Sequence, residues 1–474
     1  MAKIAMIGAG SIVFCKTLMM DIMATEDLRN STIVLMNRTN RGGKLDKIEE
    51  FARKVVKENN LPTEIRSTLN KQDALKDANY VINMIQVGGV DAFQKDYEIP
   101  LKYGVDQCIG DTMGPGGIFR ALRTIPVVLD IAHDMEKLCP DALLLNYTNP
   151  MAMVCWALGE VTHINFVGLC HGVQTTLDLI SRYVGVNKKD ISYLCAGINH
   201  MDWFLKLKKD GKNLYPILKE NMEKAEYYIN EKVRGEVLRH FGYFMTESSG
   251  HLSEYLPWFR KNKKALDLYC DQPAFGGETG AYYKWCRKIA EKFKKVNYLE
   301  YESTKLRERS NEYCSYIIEA METDKIFKFS GNVRNNSLIT NLPSDCCVEV
   351  PVYVDKMGLH PTYIGDLPPQ CAALCMSNII PQGLAVKAAL TRDFEYAVQA
   401  VAIDPLTSAV LTLKEARDMA IEMYQAEKEY LTQFDKKKIR RVSTIEIPKG
   451  TEGVEVPLDL ALVVAHRFSE LEKK

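Results

Sequence analysis

The stretch "KIAMIGAGSIVF", Lys3 to Phe14, decides the fold. Its apolar first half reads as a strand, the two glycines as a tight turn, and "SIVF" as the opening of a helix. That context is the one a dinucleotide-binding turn requires. Gly8 permits the turn; Gly10 and Ser11 bring bare backbone to where a pyrophosphate would meet the positive end of the helix. The third glycine of the G-x-G-x-x-G pattern is absent, and Val13 stands in its place. A glycine turn that binds no nucleotide is the alternative reading of this segment.

Working outward, short apolar runs alternate with helical patterns through the first 170 residues, the mark of a parallel sheet wrapped by helices. "STIVLMN" reads as the second strand, "TEIRSTL" as the third and "YVINMIQVGG" as the fourth. "ALLLNYTNP" and "NFVGLCH" read as the fifth and sixth. Between the second and third, Leu45, Ile48, Phe51, Ala52 and Val55 recur at helical spacing and mark one buried face. The fold class expected is α/β. It is a Rossmann-like, doubly wound parallel sheet of the lactate/malate dehydrogenase kind, followed by a C-terminal α+β catalytic domain. The boundaries expected are 1–200 for the nucleotide domain, 201–432 for the catalytic domain and 433–474 for an extension. Beyond residue 200 charged and aromatic helices dominate, with one β stretch at "DCCVEVPVYVD" and long helical patterns in "GLAVKAALTRDFEYAVQAVAI" and "LKEARDMAIEMYQAEKEYL". The extension carries a basic run, a short strand signal and an amphipathic helix.

Composition narrows the function. Of 474 residues, 61 are basic and 61 acidic, so there is no basic excess to draw nucleic acid or a membrane surface. The 46% hydrophobic fraction is that of an ordinary globular protein. Thirteen scattered cysteines, the lack of a signal-type N-terminus and the lack of a long uninterrupted apolar run predict a soluble cytoplasmic protein.

Strand two ends in Asn37 and Arg38 rather than in the carboxylate that usually accepts from the adenosine ribose. A guanidinium there suits a 2′-phosphate, so NADP stands beside NAD; the alternative is that Asn37 bonds the ribose while the arginines face water. At the end of strand six come Cys170 and His171, and about thirty residues on comes His200 in "GINH". Adjacent residues of an extended chain point to opposite sides, so Cys170 pairs more easily with His200 than with His171. A thiolate with an imidazole suits a borderline transition metal. A thiol nucleophile with a histidine base, or an inert buried cysteine, remains open.

The blocks "IGAGSIVF", "INMIQVGG", "GDTMGPGGIFRALRTIP", "LLNYTNPMAM", "GLCHGVQ", "AGINHMDWFLKL", "TESSGHLSEYLPWF", "GNVRNN" and "NLPSDCCVEVPVYVD" stand in an order and spacing that closely resemble glycoside hydrolase family 4, in its melibiase-like α-galactosidase and α-glucosidase branch. The resemblance covers roughly residues 3–432. It implies an NAD-dependent hydrolysis outside the usual two-carboxylate scheme. The sugar is transiently oxidised at C3, its C2 proton becomes acidic, and elimination followed by addition of water releases the aglycone. A divalent metal, usually manganese, holds the C2 and C3 oxygens as a Lewis acid. Carried onto this chain, the resemblance makes Cys170 and His200 the metal ligands and Asn149, Asn199 and Arg334 sugar contacts. Tyr255 becomes the C2 base, with Glu247 in reserve, and Asp111 the acidic neighbour that raises its basicity. His171 stands where some members carry an aspartate proposed as the leaving-group acid.

Two departures bear on substrate. Phe93 in "GGVDAFQKDYE" stands where members acting on 6-phosphosugars tend to carry an arginine, which favours an unphosphorylated α-glycoside, α-galactosides first and α-glucosides next. Gly172 in "CHGV" replaces the serine of the "CHSV" typical of melibiases. An α-uronidase of the same family, a 2-hydroxy-acid dehydrogenase and a nucleotide-sensing module are the rival readings. The expected assembly is a homodimer or homotetramer.

Overall fold

The computed structural model describes residues 1–435, 439–457, 459–460, 462–463 and 467–468. Its framework is one mixed sheet of twelve strands. The six expected strands are all present: β1 (Lys3–Ile7), β2 (Thr32–Met36), β3 (Glu64–Thr68), β4 (Tyr80–Asn83), β5 (Leu143–Asn146) and β6 (Asn165–Leu169). They lie parallel in the order β3-β2-β1-β4-β5-β6. The chain therefore reverses direction across the sheet between β1 and β4, and a ligand crevice opens at such a switch point. β1, β2, β4 and β5 are almost wholly buried, as strands covered on both faces must be. The helix Lys44–Glu58 buries Leu45, Ile48, Phe51, Ala52 and Val55, the five residues that the period-3.6 reading selects.

The sheet then continues with β7 (Ser192–Ile198), β8 (Met201–Lys209), β9 (Lys212–Asn213), β10 (Phe327–Arg334), β11 (Cys347–Asp355) and β12 (Gly358–Pro361). β10 runs antiparallel beside β6, pairing Gly331 with Leu169 and Asn332 with Gly168, and β11 and β7 follow. Of these the sequence reading singled out only β11. Position 200 falls in the two-residue turn of the β7–β8 hairpin, where Ile198 pairs with Met201.

The chain forms two compact units, Met1–Ile439 and Arg440–Lys474. In the second, the short strand signal of the extension forms no strand among the described residues. Ile445 and Ile447 are exposed, and no strand pairs with this stretch among the described residues, so its backbone groups are left to water. The three lysines 436–438 of the basic run and most of the expected amphipathic helix lie outside the described residues. The long pattern over 383–403 is two helices, Pro369–Thr391 and Phe394–Ile403. Arg392 breaks it at φ 58° and Asp393 caps the second helix through the Glu395 amide. Pro369–Thr391 is long and apolar enough to span a membrane. More than half of its most apolar window is buried inside the first unit, however, and Asn378 and Gln382 are among its buried residues. The thirteen cysteines are all free thiols.

Candidate active site

At the glycine turn, Gly8 has φ 93°, and a Cβ there would stand 2.9 Å from the Met84 carbonyl carbon and oxygen. Only glycine lets β1 pass so close to the end of β4. The amides of Gly8 and Ala9 both donate to Met36 O, at 2.9 and 3.0 Å, which ties the turn to the end of β2. Ser11 is the N-cap of the helix Ile12–Ala24, but its side chain makes no capping bond. The first amides of that helix are thus available to an anion. Asn37 lies beside Gly10, its amide bonded to Thr39 O at 2.7 Å, while Arg38 is exposed.

A second cluster forms beyond the end of β6. Cys170 leaves the strand and His171 caps the helix Gly172–Val184. As the extended-chain argument requires, the two part company: Cys170 turns inward, whereas His171 is exposed and faces Glu312 at 3.5 Å. The hydrogen bond to Glu312 holds the His171 imidazole above its ordinary value. His200 occupies the hairpin turn at φ 65°, a left-handed conformation that a side chain rarely takes. Residues 244–246 lie along β8, where Phe204 N donates to Phe244 O at 3.0 Å and Thr246 N to Asp202 O at 2.9 Å. That pairing delivers Glu247 to His200. Donor atoms of Cys170, His200 and Glu247 all lie within 4.8 Å of one another.

The short helix Ser249–Tyr255 follows, capped by Ser248, whose hydroxyl accepts from the His251 amide. On that helix His251 and Tyr255, four positions apart, share one face toward Glu247 and His200. The Tyr255 hydroxyl lies 3.0 Å from His200 Nδ1, and His251 sits 3.8 Å from Glu247. Burial, then the carboxylates of Glu254, Asp111 and Glu247, push the Tyr255 hydroxyl well above its ordinary value. Burial likewise raises the Cys170 thiol, with Glu247 and Glu349 adding to the effect. Asp111 is fixed by Thr112 and by a buried ion pair with Arg120, each at 2.8 Å. Its loop is clamped by Glu254, which accepts the amides of Cys108, Ile109 and Gly110 at 2.7–2.9 Å. The residue before Tyr255 thus holds the residue before Asp111.

The structure brings Cys170, His200, Tyr255 and Asp111 into one neighbourhood, with His171 on the solvent side of the strand end. Asn149 is half-buried at the carboxyl end of β5. Asn199 is buried and donates to Glu349 at 3.0 Å, an acceptor that Asn332 shares at 3.2 Å. Arg334 is not brought in. Two residues beyond the Asn332–Gly168 rung, it binds the Gly159 carbonyl and lies 3.3 Å from Glu160, at the end of the helix Met151–Val161. Its expected role as a sugar contact is corrected on that ground: an antiparallel strand carries it away from Cys170, and its fork is spent on a helix C-terminus. Glu254, His251 and Glu349 are the members that sequence reading missed. "GHLSEY" on a helix, with its fourfold spacing, was the available signal for His251.

A parallel sheet with a glycine turn at its switch point, and a thiol–imidazole–carboxylate cluster beside a tyrosine, define a Rossmann-like enzyme. The family 4 glycosyl hydrolase model matches residues 3–186, and the model of that family's C-terminal domain matches residues 195–407. An α-galactosidase of Bacillus subtilis is 42% identical over 438 residues, 92% of this chain and 100% of the relative. One of Rhizobium meliloti is 40% identical over 443 residues, 91% and 89% of the two chains. The 6-phospho-β-glucosidase of Thermotoga maritima, solved with manganese, NAD+ and glucose-6-phosphate, superposes with a TM-score of 0.74 at 23% identity, covering 90% of this chain and 98% of its own. The chain belongs to glycosyl hydrolase family 4 and is a glycosidase.

Proposed function

We propose that the chain is an NAD- and manganese-dependent α-glycosidase acting on unphosphorylated α-galactosides. The observation that carries the reading is the meeting of Cys170, His200 and the Tyr255 hydroxyl at one point, 3.0 Å separating the last two. Full-length likeness to two α-galactosidases supports the sugar. The manganese and NAD+ of the Thermotoga enzyme agree with the donors present here.

The residues fit both groups. Thiol and imidazole are donors for a borderline divalent ion, and a glycine turn opening an uncapped helix suits a pyrophosphate. When bound, the nicotinamide supplies a reversible hydride acceptor and the cation a Lewis acid for neighbouring sugar oxygens. Cys170 and His200 would hold the cation. With Nε2 holding the cation, the His200 proton would reside on Nδ1 and donate to the Tyr255 oxygen. That bond, together with the cation's charge, would offset the burial and carboxylates that raise this hydroxyl, so that it could accept the C2 proton. Asp111, pinned by Arg120, keeps that oxygen basic. Asn149 would contact a sugar hydroxyl, and His171, exposed beyond the strand end, would act as the acid for the leaving group. Phe93, fully buried against Tyr282 and Tyr283, stands at the position where an arginine would be expected for a sugar phosphate.

The test is hydrolysis of p-nitrophenyl α-galactoside, α-glucoside and their 6-phosphates with NAD+, NADP+, manganese and a thiol reductant. Galactoside turnover that disappears with chelator and shows a C2 deuterium effect is the expected result. Turnover of the phosphorylated sugars alone would overturn the substrate assignment.

A further inference from the structure

We propose that Glu247 is a third protein ligand of the cation, and that glycine at position 172 is what admits it. The proposal rests on the reading that Cys170 and His200 bind a divalent metal. Glu247 Oε1 lies 3.6 Å from Cys170 Sγ and 3.7 Å from His200 Nε2. Ligand bonds of about 2.0–2.3 Å set two donors on one ion roughly 3–4 Å apart. A single carboxylate oxygen therefore stands at ligand spacing from both of the other donors.

Two further features single out this carboxylate. Glu247 is nearly buried, with its side chain 12% exposed, and its ion-pair contacts are the imidazoles of His200 and His251. No lysine or arginine pairs with it among the described residues. A carboxylate so placed needs a cation to balance its desolvation. Its backbone also holds φ 68°, a conformation unfavourable for a non-glycine residue that persists only where its surroundings impose it.

Gly172 supplies the space. A Cβ at that position would stand 1.8 Å from Glu247 Oε1 and 2.9 Å from its carboxyl carbon. The conflict is with the end of a rotatable side chain, and Gly172 itself lies at the start of the helix Gly172–Val184, where alanine is well tolerated. A single methyl group would thus turn the carboxylate out of the cluster and leave the fold intact. With three protein ligands the ion is retained before sugar binds, and its remaining positions stay open to substrate oxygens.

The experiment compares wild type with G172A, E247Q and C170A, using manganese alone without sugar or NAD. Free manganese is followed by electron paramagnetic resonance, and the cobalt-substituted proteins by their electronic spectra. The expected result is a dissociation constant raised at least tenfold in both G172A and E247Q. The thiolate-to-cobalt band should remain in these two variants and vanish in C170A. Thermal melts of the metal-free proteins show whether the variants are folded. Wild-type affinity in folded E247Q overturns the third ligand, and wild-type affinity in G172A with loss in E247Q overturns the role of the glycine. If C170A also binds as wild type, the Cys170–His200 reading fails with it.

Discussion

Tyr255 illustrates how much one side chain depends on its neighbours. Its hydroxyl meets His200 on one side, while Glu254, one residue earlier, holds the loop that carries Asp111. Tyr255→Phe keeps the ring and removes the oxygen. We expect kcat on an α-galactoside to fall by roughly 10²–10⁴-fold, the range of a lost general base. Manganese affinity should stay within about twofold, since no ligand is lost; kinetics and a metal titration check both. Gly8→Ala inserts a methyl group 2.9 Å from the Met84 carbonyl at a φ of 93°. It should lower stability by about 1–3 kcal/mol and abolish NAD binding, read by thermal melts and by nucleotide fluorescence. Cys170 and His200 were legible as candidates because a thiol and an imidazole suit a transition metal and the family resemblance pairs them as its ligands. Glu247 as a donor was not, because an acidic residue in a polar loop has many ordinary uses and its partner, Gly172, lies 75 positions away.

At the scale of elements, three helices meet on a buried charge cluster. Arg123 of the helix Gly114–Leu138 binds Asp96 of the helix Gly89–Lys102 and, at 2.8 Å, Glu427 at the end of the helix Leu413–Glu427. One guanidinium faces two carboxyls. Burial, then the charge of Asp96, raise Glu427 from 4.5 to about 9. Between those values the folded chain keeps a proton that the unfolded chain has lost. The contribution is complete below pH 4.5 and is lost as pH rises through about 9. Melting temperatures recorded from pH 7 to 9.5 should therefore decline in wild type and run flatter in Glu427→Gln, which carries the neutral form at every pH. This cluster was invisible in the sequence, which spreads its members over three separate helices. The strand β10 was missed for a local reason: "FKFSGNVR" mixes glycine, serine and asparagine into a strand whose burial is imposed by its neighbours β6 and β11.

For the whole molecule, every residue of the site and both halves of the sheet fall within Met1–Ile439. A chain ending at residue 439 should fold and retain kcat within about twofold, measured on the same galactoside beside the full chain. A loss of more than tenfold would mean that the last 35 residues take part in the active enzyme.

The sequence by itself determined the parallel half of the sheet and the glycine turn, and it set Cys170 and His200 apart as candidate metal donors. These rest on short-range signals, namely alternation of apolar runs, a glycine pair between strand and helix, and a thiol and an imidazole at the ends of apolar runs. Only the tertiary structure decided that β10 and β11 extend the sheet beside β6, that Arg334 is carried away from the site, and that Glu247 reaches Cys170 and His200 through the gap left by Gly172. Those outcomes depend on which distant segments pack together. Packing is set by the summed burial of a whole chain, and no local pattern encodes it.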